Sequence, residues 1–153
     1  MEKLRYVIIL MLIYSFKLQA QEVTQKYNKL FKRTEFFNSY GIMIGYAKKN
    51  ELFNQLEYYN VQGVLIKTEK NNELFQRKES YNLNGYQQGY RQQNKLFKRE
   101  DRYTNNGQLK SYKKWNDLYK RYDVFDSNGV MTGYYKYDDL FERWNYHKIS
   151  NGF

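Results

Sequence analysis

Residues 95–116 decide the architecture of the chain: they read KLFKREDRYTNNGQLKSYKKWN, and their pattern returns every 22 residues. A fixed period of roughly 20–50 residues is the sequence signature of a repeat protein. The units start near residues 29, 51, 73, 95, 117 and 139. The marker of each unit is a Leu-aromatic pair, found at Leu30-Phe31, Leu52-Phe53, Leu74-Phe75, Leu96-Phe97, Leu118-Tyr119 and Leu140-Phe141.

Each unit predicts one β-hairpin. Two runs of about eight residues are each closed by turn residues. Asn106-Gly107, echoed by Asn84-Gly85 and Asn128-Gly129, is a strong hairpin signal because both residues tolerate positive φ. The second turn holds Asn or Asp in every unit. We therefore expect an all-β fold, an antiparallel meander of about 11 strands that forms one extended, twisted or curved sheet.

Alternate positions in the first strand of a unit carry a consistent set of residues. Phe97, Arg99, Asp101 and Tyr103 share one face, because side chains two residues apart point to the same side of a strand. Stacked hairpins should therefore line up Arg with carboxylates between rows of aromatic rings. Such cross-strand pairs contribute roughly 0.2–1 kcal/mol each, and a single hairpin is barely stable alone.

Residues 1–20 have the pattern of a secretory signal peptide. A basic start is followed by the apolar run Tyr6–Phe16, and Ala20 offers a cleavage position. The apolar run of 11 residues is shorter than the about 20 that cross a bilayer, so no transmembrane span is expected in the mature chain. We expect a helical signal segment at 1–20, a single repeat domain at 21–153, and export to the periplasm, the outer envelope or the exterior.

The composition argues against an enzyme. The chain has 153 residues, a net charge of +10 and no Cys, which excludes thiol catalysis and disulfides. His147 is the sole His and occupies a slot that holds Tyr in other units. We expect no catalytic residue, metal or cofactor. The recurring carboxylates favour a structural ion-pair ladder over a catalytic pair; they are Glu35, Glu57, Glu79, Asp101 and Asp123.

Basic residues interleaved with aromatic ones leave binding as the expected activity. A protein partner is favoured because Tyr and Arg dominate binding hot spots. Anionic glycan or lipid headgroups are the alternative, and a merely solvated face explains any single charged stretch. Nucleic acid is disfavoured by the export signal. The candidate surface comprises Arg77, Arg99, Arg121, Tyr81, Tyr103, Tyr112, Tyr134, Lys113 and Lys114.

Residues 103–110 and 125–134 resemble the repeat core of bacterial MORN-variant proteins: an aromatic residue, polar residues, Asn-Gly and an aliphatic residue. These proteins are described as antitoxin-like, so the resemblance implies a hairpin-repeat fold and an antitoxin or immunity role. The second glycine of the motif, present at Gly45, is replaced by Lys67 and Ser111. A weaker resemblance, carried by Tyr-Asp pairs at 122–123 and 137–138, is to the YD repeats of bacterial surface and toxin shells.

Overall fold

The computed structural model describes residues 23–149, which form twelve β-strands and no helix. Accordingly, this part of the chain holds no helix long and apolar enough to cross a membrane. The predicted signal segment lies outside the described residues. The strands are β1 (Thr24–Asn28), β2 (Arg33–Phe37), β3 (Met43–Asn50), β4 (Gln55–Asn60), β5 (Leu65–Asn72), β6 (Arg77–Tyr81), β7 (Gln87–Asn94), β8 (Arg99–Thr104), β9 (Leu109–Asn116), β10 (Arg121–Asp126), β11 (Met131–Asp138) and β12 (Arg143–Lys148).

The sheet closes into a barrel. Each strand pairs antiparallel with the next, as the repeat predicts, and β1 also pairs with β12 through Thr24↔Asn145, Gln25↔Trp144 and Lys26↔Arg143. The antiparallel meander is therefore confirmed, but the expectation of one extended sheet is corrected, because the sheet is closed. β1 lies before the first unit and β12 is the strand of the last unit. The twist of a long meander brings these two strands together, and they pair. Closure leaves no unpaired sheet edge among these strands.

Two kinds of turn occupy the two ends of the barrel. At one end, which we call the leucine rim, lie the turns 29–32, 51–54, 73–76, 95–98, 117–120 and 139–142. The fourth residue of each takes a left-handed conformation with φ of 46–49°, as at Lys32 and Asn54. The Asn or Asp before each turn accepts a hydrogen bond from the backbone N–H of the aromatic residue, for example from Phe97 N–H to Asn94 Oδ1 at 3.2 Å.

At the opposite end, which we call the glycine rim, the turns lie at 38–42, 60–64, 82–86, 104–108 and 126–130. Each has a glycine with φ between 75° and 84°, such as Gly85 and Gly107. The predicted Asn-Gly turns are present, but only the glycine uses positive φ. The turn is instead held by the residue that opens it: Asn82 Oδ1 accepts from the N–H groups of Asn84 and Tyr86.

Contacts over an intervening strand show which face is the inside. Phe36 on β2 stacks with Tyr58 on β4 at 6.0 Å, and Tyr122 on β10 meets Trp144 on β12 at 5.6 Å. Side chains converge in this way only on the concave side of a closed sheet, so these residues and those in phase with them line the lumen. The Arg-carboxylate-Tyr positions lie on the outer surface.

Candidate functional site

The outer surface carries one polar cluster per repeat. Asp101 accepts hydrogen bonds from Arg99 Nε at 2.7 Å, Asn94 Nδ2 at 2.8 Å and the Tyr103 hydroxyl at 3.2 Å. Only 1% of Asp101 is exposed. The predicted Arg-carboxylate ladder is thus present, but each pair forms within one strand rather than between strands. The equivalent carboxylates are Glu35, Glu57, Glu79 and Asp123.

The arginines of these clusters are held between aromatic rings. The Arg99 guanidinium lies 4.9 Å from the centroid of Phe97 and 3.9 Å from that of Tyr112. Tyr112 then stacks on Phe125 of the next unit at 4.9 Å. Rows of stacked rings therefore join consecutive hairpins around the outside, and His147 continues the pattern by stacking on Tyr134 at 4.8 Å.

The hydroxyl groups of two clusters are strongly coupled to their carboxylates. The hydrogen bond from Tyr59 lowers the pKa of Glu57, and the same bond, with burial, raises the pKa of Tyr59 to about 12. Tyr81 and Glu79 repeat the arrangement, with the pKa of Tyr81 raised and that of Glu79 lowered by their hydrogen bond. The pKa values of these groups are set by contacts within the fold. In the part of the chain described, no group of His, Cys, Asp and Glu residues could hold a metal ion.

The nine residues of the sequence-predicted surface do not form one patch. Seven lie in the outer clusters just described, where their polar groups or rings are already engaged: Arg77, Arg99, Arg121, Tyr81, Tyr103, Tyr112 and Tyr134. Lys114 pairs in register with Arg99 and shares the outer face, whereas Lys113 faces the lumen. Lys113 lies 3.3 Å from Glu100 and above the ring of Tyr122. A role in binding for these nine residues stays a prediction.

The leucine rim presents apolar side chains that sequence analysis used only as repeat markers. All six Leu residues of its turns are 80–85% exposed, and the six aromatic neighbours are 52–62% exposed. Five of the six aromatic rings pack on an arginine of the following strand, as Phe75 does on Arg77 at 4.7 Å; the strand after Phe53 has Gln55 at this position. The leucines have no such role in the fold.

The lumen is divided into two walls. On β5–β9 it carries a group of charged residues, which we call the cationic wall: Lys67, Lys78, Arg91, Arg102 and Lys113, with Glu69 and Glu100. On the other strands it carries a group of aromatic residues, which we call the aromatic wall: Phe36, Tyr58, Tyr122, Tyr135, Trp144 and Tyr146. Neither wall is predicted from the sequence, because the residues at these positions change from unit to unit instead of repeating.

Fold and surface together define a class: a closed all-β barrel built from 22-residue hairpin repeats. No family model and no curated protein matches the chain. Its fold is similar to the X-ray structure of a protein from Arabidopsis thaliana, with a TM-score of 0.60 and 8% sequence identity, over 84% of this chain and 79% of that one. At this identity the likeness concerns the fold alone.

Proposed function

We propose that this chain is an exported, non-enzymatic binding protein that docks another protein through its leucine rim. The observation that carries the proposal is the exposure of all six rim leucines at 80–85%. Two strands separate one rim turn from the next, so neighbouring leucines are about 10 Å apart around the barrel end. Contiguous exposed apolar surface of this kind marks an interaction site.

The fold itself gives no reason for leucine at this position. Asn94 closes its turn through the Phe97 N–H, and the Phe97 ring packs on Arg99, whereas Leu96 is 82% exposed. The same residue nevertheless stands at this position in all six units. A feature repeated around the rim without a structural role is best explained by the partner it contacts.

The charges of the rim favour a protein over an anionic lipid or glycan surface, which is the alternative from the sequence. An anionic membrane attracts clusters of basic residues. The rim turns instead carry five cations and five anions in mixed order, a pattern that matches the polar rim of a protein interface. They are Lys29, Lys32, Lys95, Lys98 and Lys120 against Glu51, Glu73, Asp117, Asp139 and Glu142.

Export and an immunity-like role are part of the same proposal. Export is supported by the signal-peptide pattern of residues 1–20, and the immunity-like role by the resemblance to antitoxin-like repeats. A toxin encoded beside the chain would be the first partner to test.

The test compares two triple variants in affinity purification from cells that produce the chain. Leu52→Ser, Leu74→Ser and Leu96→Ser together remove half of the leucine ring. Val61→Ser, Val64→Ser and Ile66→Ser remove the same number of exposed apolar side chains away from that rim. We expect one specific protein to co-purify with wild type and the control and to be lost from the leucine variant. Equal recovery by both variants would show that the rim is not the docking surface.

The membrane alternative has its own readout in the same experiment. Retention of wild type on vesicles of anionic phospholipid, weakening steeply between low and high salt, would favour the lipid reading over a protein partner.

A further inference from the structure

The lumen holds a row of like charges that the fold does not need. Lys78, Arg91 and Arg102 are direct cross-strand neighbours on β6, β7 and β8. Strands lie about 4.8 Å apart, and like charges directly opposite each other destabilise a sheet. At the equivalent positions of the first unit stand Thr34, Ala47 and Phe36, so the repeat itself does not demand cations there.

The carboxylates of the lumen do not neutralise this row. Glu69 is shared by Arg91 at 2.5 Å, Lys67 at 2.7 Å and the hydroxyl of Tyr58 at 2.9 Å, which leaves it saturated. Glu100 Oε1 lies 3.3 Å from Lys113 and 4.0 Å from Arg91, and among the described residues it accepts no hydrogen bond. Within residues 23–149, Lys78 and Arg102 form no ion pair. Five cations against two carboxylates leave a net charge of +3 on the cationic wall.

A cavity opens beside these two unpaired cations. Its volume is about 320 Å³, and it is lined by Lys67, Lys78, Arg91 and Arg102 together with hydroxyl groups such as that of Ser80. Ligand pockets begin at about this size, and a small number of polar groups usually fixes the orientation of the ligand. A barrel of twelve strands is wider than the eight or so strands whose side chains fill their own interior.

The aromatic wall faces the cations across the lumen. Burial raises the pKa of Tyr135 on β11, and the charge of Arg102 on β8 opposes that rise. Arg102 acts in the same direction on Tyr58 of β4, whose pKa is raised by burial and by Glu69. One guanidinium therefore lies within electrostatic reach of rings on both sides of the cationic wall.

We propose that the lumen binds a small amphiphilic anion, in which a phosphate or carboxylate group is joined to an aromatic or aliphatic body. The anionic group lies between Lys78 and Arg102, where it completes the missing ion pairs. The body packs against the aromatic wall near Tyr58, whose ring lies 4.4 Å from Lys67 of the cavity lining. This site is separate from the leucine rim, since most residues lining the cavity lie in the halves of β5–β9 that adjoin the glycine rim, including Gly89 and Thr104.

The test titrates the full chain with phenyl phosphate, phenylacetate, inorganic phosphate and benzyl alcohol, followed by calorimetry and by Trp fluorescence, to which Trp144 of the aromatic wall contributes. We expect phenyl phosphate or phenylacetate to bind at least about tenfold tighter than inorganic phosphate or benzyl alcohol. The preferred member of the first pair distinguishes a phosphate from a carboxylate ligand. No saturable binding of either below about 10 mM would overturn the proposal.

Two charge-matched variants locate the site. Lys78→Gln with Arg102→Gln should weaken binding at least about tenfold, whereas Lys114→Gln with Lys136→Gln, two cations of the outer face, should change it by less than about twofold. Equal losses would mean non-specific attraction and would overturn the site.

A further variant distinguishes loss of the binding site from misfolding, because it keeps both cations. Ser111→Asp places a carboxylate opposite Arg102 in cross-strand register. The new carboxylate should form an ion pair with Arg102 inside the lumen and so weaken ligand binding by a similar factor. The added opposite-charge pair should also raise the melting temperature. Unchanged affinity in a folded Ser111→Asp variant would count against the proposal.

Discussion

The hydroxyl of Tyr59 donates a 2.5 Å hydrogen bond to Glu57, two residues earlier on the same outer strand face. Gln55 and Asn50 donate to the other oxygen of the carboxylate at 2.8 Å each. The carboxylate is consequently almost enclosed, although it lies outside the barrel. This arrangement ties the stability of the fold to pH at both ends of the scale.

At low pH we expect the fold to lose stability as Glu57 and Glu79 take up protons. Their pKa values are lower in the folded chain than the ordinary 4.5, first because of the Tyr hydrogen bonds. A carboxyl with a lowered folded pKa stabilises the fold above its unfolded pKa, and this contribution disappears as the pH falls through the folded value. Thermal unfolding should give a constant melting temperature from about pH 6 to 8 and a decline below about pH 4.5.

At high pH the dependence has the opposite sign: the stability of the fold falls as the pH rises. Tyr59 has a pKa raised to about 12 by its bond to Glu57, against an ordinary value of 10.0. Its contribution is fully present below pH 10 and is lost as the pH rises toward the folded value. Tyr59→Phe should flatten this alkaline loss and lower stability at pH 7 by about 1–2 kcal/mol. Tyr46→Phe is the matched control, because Tyr46 stacks on Tyr59 at 5.0 Å while its hydroxyl takes no part in the carboxylate cluster. Equal effects of the two variants would contradict this account.

A second prediction concerns the most buried cluster. Asp101→Ala leaves the polar groups of Arg99, Asn94 and Tyr103 without their common acceptor, so we expect a loss of about 2–4 kcal/mol in urea unfolding. The last unit offers a natural comparison: Asp138 stands at the turn and Asn145 in the strand, which exchanges the two partners. The double variant Asn94→Asp with Asp101→Asn should therefore recover part of the loss. A double variant less stable than Asp101→Ala would contradict this expectation.

The local parts of this architecture could be predicted from sequence. Turn residues and period-two alternation depend on neighbours in the chain, so the hairpins and the grouping of Arg99, Asp101 and Tyr103 on one face agree with the structure. Closure could not be predicted in the same way. The pairing of Thr24 with Asn145 joins residues 121 positions apart, and it depends on twist accumulated over the whole meander.

The candidate binding residues show the same limit. Residues that recur in every unit stand out in a repeat sequence and are therefore predicted as candidates. The recurring Arg and Tyr residues are instead hydrogen-bonded within the outer clusters. The lumen positions differ from unit to unit: Tyr58, Ser80 and Arg102 occupy the same place in successive units. Their common direction becomes visible only when the closed barrel assigns an inside and an outside.

A third prediction separates the two members of the Leu-aromatic pair. Leu74→Ala should leave the free energy of unfolding within about 0.5 kcal/mol of wild type, because an exposed surface side chain contributes little. Phe75→Ala should be the more costly change, by about 0.5–1 kcal/mol, because the ring lies under the guanidinium of Arg77. Chemical denaturation of the two variants in parallel checks the order. A Leu74→Ala variant that is the less stable of the two would give the leucine a structural role and weaken the proposed docking rim.

The last prediction concerns the strand that closes the barrel. β1 is held by β2 on one side and β12 on the other, with Gln25 opposite both Phe36 and Trp144. Gln25→Pro removes a backbone donor and fixes φ in a strand without a free edge, so it should release β1 and expose the edges of β2 and β12. Unprotected edges pair with other copies, and light scattering after size exclusion should show dimers or larger species. Lys29→Pro, placed in the adjacent rim turn, is the control and should remain in the wild-type oligomeric state. If the Gln25→Pro variant also keeps the wild-type state and stability, the β1–β12 pairing is not what closes the sheet.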